Sequence, residues 1–190
     1  DPAKADIIVG NVALDQGEKG AAAVAAVKAG TPYIATGSDP LEYISKNLVT
    51  DLTYTTPGME ALHTVTYPTD SLITASYAAD GDHVLYTYSC GVLTSVPAGA
   101  TVLIQAAEQD SFIAGCCLNE NGTPIDGFVE AIALERDGMD LTIFANSVNN
   151  RAHQQDDYRY VTNAIYAKMS TGGTGFTDVP ASHWAAGGIA

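Results

Sequence analysis

The chain alternates short apolar runs with polar turns, and the character of the runs changes along its length. Asp6–Gly10 (DIIVG) is a continuous apolar run of the kind a doubly covered parallel strand needs. Asp15 with Glu18 three residues on has the form of a capping box, and the Ala-rich stretch 16–29 that follows predicts a helix stopped by Gly30. Tyr33–Thr36 (YIAT) is a second apolar run. Gly37-Ser38-Asp39-Pro40 then leads into a short helix over 41–47, with Pro40 at its first position and Ser38 or Asp39 as its cap. Strand, helix, strand, turn, helix is the rhythm of a parallel α/β sheet.

The middle of the chain is β-like. Runs at 62–67, 84–89, 101–107 and 112–118 are rich in Val, Thr, Tyr and Ile, and Asp70–Tyr77 reads as a short helix or turn. Residues 128–135 and 139–145 are apolar strands joined across Asp137-Gly138, which predicts a β-hairpin. A polar loop over 146–155 precedes an amphipathic helix over 156–169. Residues 170–175 (STGGTG) have linker composition, and the fifteen residues 176–190 cannot bury a core alone. The division is therefore an α/β domain over 1–169, a linker over 170–175 and the start of another unit over 176–190.

Charge narrows the partners. Eight Lys and Arg stand against 22 Asp and Glu, a formal net charge of −14 over 190 residues. Such a surface disfavours nucleic acid and anionic membranes, both of which require clustered cations. No apolar run reaches the length of a membrane span, and no basic segment followed by an apolar stretch opens the chain. The first strand begins almost at once, so the sequence is expected to be a piece of a longer protein.

Candidate chemistry is sparse. The cysteines are Cys90, Cys116 and Cys117; without a Cys-x-x-Cys pair they read first as small buried hydrophobes. A bridge from Cys90 to one of the pair and a reactive thiol are the alternatives. His63, His83, His153 and His183 do not pair at metal-ligand spacing, so neither metal nor cofactor is expected. Glu130, Glu135, Asp137 and Asp140 of the hairpin read as a solvated edge rather than a catalytic carboxylate pair. The scattered tyrosines read as strand-face and interface residues rather than a sugar-stacking platform. Asn149, Asn150, Arg151 and His153 gather in one polar loop that reads first as loop and helix-entry structure; the alternatives are a repurposed ligand pocket with Ser38, since such loops bind ligands at the carboxyl ends of parallel strands, and catalysis. Ser38 is a helix cap, a ligand-contacting hydroxyl, or a nucleophile with His153 as base and Asp156 or Asp157 as orienter.

Two segments carry resemblances. Phe176, Asp178-Val179-Pro180 and His183-Trp184-Ala185 resemble the opening of an S-layer homology module. That resemblance implies an exported protein of the bacterial cell wall or S-layer, whose complete modules bind secondary cell-wall polymer. Residues 6–169 resemble a class I glutamine amidotransferase-like domain, as found after the zinc carboxypeptidase unit of M14-type bacterial surface peptidases. The likeness rests on DIIVG with its helix, on Pro32–Ser38 (PYIATGS) and on the final strand, loop and helix from Leu141 to Lys168. It implies a flavodoxin-like parallel sheet flanked by helices, with a β-rich insertion and a late hairpin. The family places its cysteine in a Gly-x-Cys-x-Gly turn and its histidine in His-x-Glu. This chain has Gly37-Ser38-Asp39-Pro40 and His153-Gln154-Gln155 there. The expectation is a non-catalytic accessory domain that contacts an upstream peptidase. The alternatives are a glycan- or small-ligand-binding module and a serine hydrolase using Ser38 and His153.

Overall fold

The computed structural model describes residues 1–88, 91–117, 125–149 and 155–171. Its strands are β1 (Ile8–Gly10), β2 (Tyr33–Thr36), β3 (Thr53–Thr55), β4 (Met59–Thr66), β5 (Val84–Tyr88), β6 (Val92–Ser95), β7 (Thr101–Ala106), β8 (Phe112–Cys117), β9 (Val129–Arg136) and β10 (Met139–Phe144). Its helices are α1 (Gly17–Lys28), α2 (Ser38–Asn47), α3 (Ala75–Asp80) and α4 (Tyr158–Thr171), preceded by a 3-10 turn at Pro2–Lys4. The class is mixed α/β. The strands run in the order β1-β2-β10-β9-β7-β4-β5, with β8 on β4 and β6 between β3 and β9.

Only the pairs β1–β2 and β2–β10 are parallel; every other described pairing is antiparallel. The expected central parallel sheet is thus confined to three strands. The reason is the hairpin: Asp137 and Gly138 both take positive φ (52° and 79°), which folds β9 back against β10. The sheet then continues from β9 through antiparallel neighbours.

Alternation along the parallel strands builds two cores. Tyr33 and Ala35 of β2 and Leu141 and Ile143 of β10 face Val24 and Val27 of α1 and Leu41 and Ile44 of α2. Ile34 and Phe144 face the opposite side, where Tyr77 of α3 and Tyr160 and Ala164 of α4 cover them. Helices therefore flank both sides of this part of the sheet. Tyr77 and Tyr160 stack at 3.8 Å between ring centroids, and the Tyr160 and Tyr67 hydroxyls meet at 2.8 Å. Lys168 near the end of α4 pairs with Asp140 of the hairpin.

Several local expectations change. The capping box at Asp15 and Glu18 does not form; Gln16 occupies the cap of α1 without a side-chain bond. Ser38 is not a cap either. Gly37, at φ 84°, turns the chain one residue earlier, so Ser38 opens α2 and Pro40 is its third residue. α4 runs to Thr171, two residues into the expected linker.

Candidate functional site

The parallel strands end together, Gly10 in register with Ala35 and Phe144 with Thr36. At this carboxyl edge β2 passes into α2 through Gly37 alone. The Gly37 N–H donates to the Phe144 carbonyl at 3.1 Å, and a Cβ on Gly37 would stand 2.7 Å from Ser147 Oγ. The turn is thus pinned against the end of β10. Asn11, just past β1, donates to Asp39 at 3.3 Å and joins the third strand end to the same place.

Ser38 is half-buried at the first turn of α2, and Asn149 is exposed just beyond β10. Asn150, Arg151 and His153 lie outside the described residues, as do Phe176, Asp178, His183 and Trp184. Strain at the turn sits on Gly37: among the described non-glycine residues only Asp110 and Asp137 have positive φ. Ser38 therefore has ordinary helical geometry rather than that of an elbow nucleophile. The described histidines are committed elsewhere, His63 inside the sheet and His83 stacked on Tyr67 at 5.3 Å. Asp156 and Asp157 direct their bonds to β5, α3 and Arg159, not to this turn.

Sequence reasoning missed a second region, centred on the antiparallel strands. His63 of β4, Thr87 of β5 and Glu130 of β9 form a fully enclosed group. His63 Nε2 bonds Glu130 Oε1, and Thr87 Oγ1 lies 3.4 Å from both His63 Nδ1 and Glu130 Oε2. Glu130 is 1% exposed, so it is no part of a solvated edge; β9 is an interior strand. Enclosure on every side makes this group a structural link between strands. Two alternations held the signal: Ala61-His63-Val65, and Glu130-Ile132-Leu134.

The opposite face of β4, β5 and β8 is open. Leu62, Tyr86 and Ala114 stand in register there, flanked by Glu60 and Cys116. They floor a cleft of about 840 Å³ that Asp82 and Gln155–Asp157 wall on one side. Cys116 is exposed on this face and free, which overturns both its expected burial and a bridge from it to Cys90. Gly115 explains the exposure. At φ 131° it presses against β4 so closely that a Cβ would lie 2.3 Å from the Glu60 carbonyl, and Cys116 comes opposite Glu60.

The acidic wall is held rigidly. The Tyr77 hydroxyl donates to the Asp156 carbonyl at 2.6 Å. Arg159 lies 4.2 Å from the centre of the Tyr77 ring and reaches Asp80 at 2.8 Å, Asp156 at 3.0 Å and Asp82 at 3.6 Å. Asn146 accepts the Tyr88 N–H and donates to the Tyr86 carbonyl, while the Asp157 carboxyl takes the Tyr86 N–H. These side chains occupy the outer edge of β5 in place of another strand. Burial, followed by the nearby Asp156, Asp82 and Glu130 carboxyls, pushes Asp157 up to about 8. Burial first and the adjoining Asp156 carboxyl second also raise Asp82. Among the described residues no three His, Cys, Asp or Glu side chains are arranged to hold a metal.

Compared with known proteins, the chain matches no family model and no curated sequence.

Proposed function

We propose that this chain is a non-catalytic, amidotransferase-like accessory domain of an exported bacterial protein anchored in the cell wall. In this reading β1, β2 and β10 with their helices are the flavodoxin-like half of the scaffold, and the segment from β3 to β8 is its β-rich insertion. The parent is a zinc carboxypeptidase-type peptidase whose catalytic unit lies outside this sequence. Phe176, Asp178, His183 and Trp184 begin a wall-binding module that acts only when complete.

One observation carries the proposal. The strand-to-helix turn at the carboxyl edge, where the amidotransferase family keeps its thiol, has Ser38 in unstrained helical geometry behind a positive-φ glycine. A helix start can stabilise developing negative charge, but without an exposed nucleophile there is no acyl intermediate to stabilise. Glutamine hydrolysis followed by ammonia release tests this. The chain and its Ser38→Ala variant are both expected to give only the uncatalysed rate; turnover that Ser38→Ala abolishes would refute the proposal. For anchoring, purified wall polymer is expected to retain a version with complete modules and not residues 1–169. Retention of residues 1–169 alone would refute that part.

A further inference from the structure

The cleft over β4, β5 and β8 lies apart from the Ser38 turn and plays no part in the function proposed above. Its floor is apolar where Leu62 and Val84 are 41% and 37% exposed, with Tyr86 between them in register. Among the described residues its polar lining is mostly acidic: Glu60, Asp82, Asp156 and Asp157, with Gln155 beside them. Asp157 adds an independent observation. It lines the cleft, yet the residue is only 3% exposed and Oδ2 has no hydrogen-bond partner, although the same carboxyl takes the Tyr86 N–H. A buried carboxyl oxygen without a partner costs on the order of 1–3 kcal/mol, so Asp157 gains from a side-chain shift that brings it a donor from the cleft.

We infer that this cleft binds a small organic cation, an ammonium or guanidinium group on an apolar stem, with the charged head at Asp157 and Asp156 and the stem along Leu62, Val84 and Tyr86. Three features set that chemistry. The volume falls within the range of small-molecule sites, about 300–1,000 Å³. Glu60, Asp82 and Asp156 outnumber Arg159, the cation that pairs with two of them, so the wall repels anions and attracts cations. An apolar floor under an acidic wall suits a ligand with one charged end, because an inorganic cation would leave Leu62 and Val84 uncovered. The wall is already fixed by Tyr77, Arg159 and the β5 edge, so little ordering accompanies binding. Burial holds Asp157 up at about 8, so an arriving ammonium group favours its ionised form and expels a proton.

Calorimetric titration of the full chain at pH 7, in buffers of different ionisation enthalpy, tests the inference. The probes are hexylammonium, hexan-1-ol and hexanoate. Hexylammonium is expected to bind at one site with proton release, and both other probes about tenfold or more weaker. Asp157→Asn, which keeps an acceptor for the Tyr86 N–H, is expected to abolish proton release and weaken binding by about tenfold or more. Ala114→Phe fills the cleft from an exposed position and is expected to abolish binding without lowering the melting temperature. Four results would overturn the inference: no saturable hexylammonium binding, equal affinity for hexan-1-ol, unchanged affinity in Asp157→Asn, or unchanged affinity in Ala114→Phe. A trilysine peptide binding more than about tenfold tighter than hexylammonium would make the occupant a polypeptide and overturn the small-molecule assignment.

Discussion

Removing one member of the His63–Glu130 pair is expected to be among the most damaging single changes in the domain. His63 is 0% exposed and Glu130 1%, and Thr87 closes the group. Glu130→Ala strips His63 Nε2 of its partner and leaves Thr87 with only the His63 ring. Breaking a buried pair of this kind costs about 3–5 kcal/mol, a large share of the ~5–15 kcal/mol that holds a typical domain folded. With a urea dependence of ~2–3 kcal/mol per molar, the unfolding midpoint falls by about 1–2.5 M. His63→Leu strands the Glu130 carboxyl in the same way and costs a similar amount. Replacing His63, Glu130 and Thr87 together by Leu, Leu and Val removes all the buried polar groups at once. It is expected to lie within about 1–2 kcal/mol of the parent, far less than the summed single changes. Urea unfolding followed by far-ultraviolet circular dichroism reads all three variants. Single variants within ~0.5 kcal/mol of the parent, the range of surface changes, would refute the reasoning.

Three further outcomes follow from the same geometry. Gly37→Ala forces a side chain into φ 84° and against Ser147, and thermal unfolding should show a loss of about 1–3 kcal/mol. Asp157, raised to about 8 in the fold, favours the protonated folded state, so stability is full below the ordinary carboxyl range and falls as pH rises from about 4 to about 8. Its contribution to the slope is at most ~1.4 kcal/mol per pH unit; Asp157→Asn should flatten that stretch of a stability–pH series, and an unchanged slope would contradict the assignment. Cys116 should be alkylated in the native protein under iodoacetamide, read as modification of its peptide; protection until denaturation would contradict its exposure.

The sequence was most legible where local chemistry is decisive. Tyr33–Thr36 has one strand-like reading, and Asp137-Gly138 supplies the two positive-φ residues a tight hairpin turn needs. Strand direction was not legible. An apolar run suits a parallel or an antiparallel neighbour equally, and the choice at β9 follows from the hairpin rather than from its own residues. β3 and β6 escaped because Thr53–Thr55 is too short to show a period and only two of the four β6 residues are buried. The Ser38 turn was placed correctly at the end of β2, but its cap was misassigned by one residue. The cleft could not be read at all: its acids come from β4, from the turn before β5 and from the segment before α4, and only the fold brings them together. Glu130 was misread because a charge on a hairpin strand is usually solvated, and its partner His63 is 67 residues away.

The central claim, a scaffold without a working nucleophile at its carboxyl edge, is tested most directly by the intact mass of the protein after incubation with a fluorophosphonate. An unchanged mass is expected for the native chain and for Ser38→Ala alike. A stoichiometric adduct that maps to Ser38 and vanishes in Ser38→Ala would contradict it.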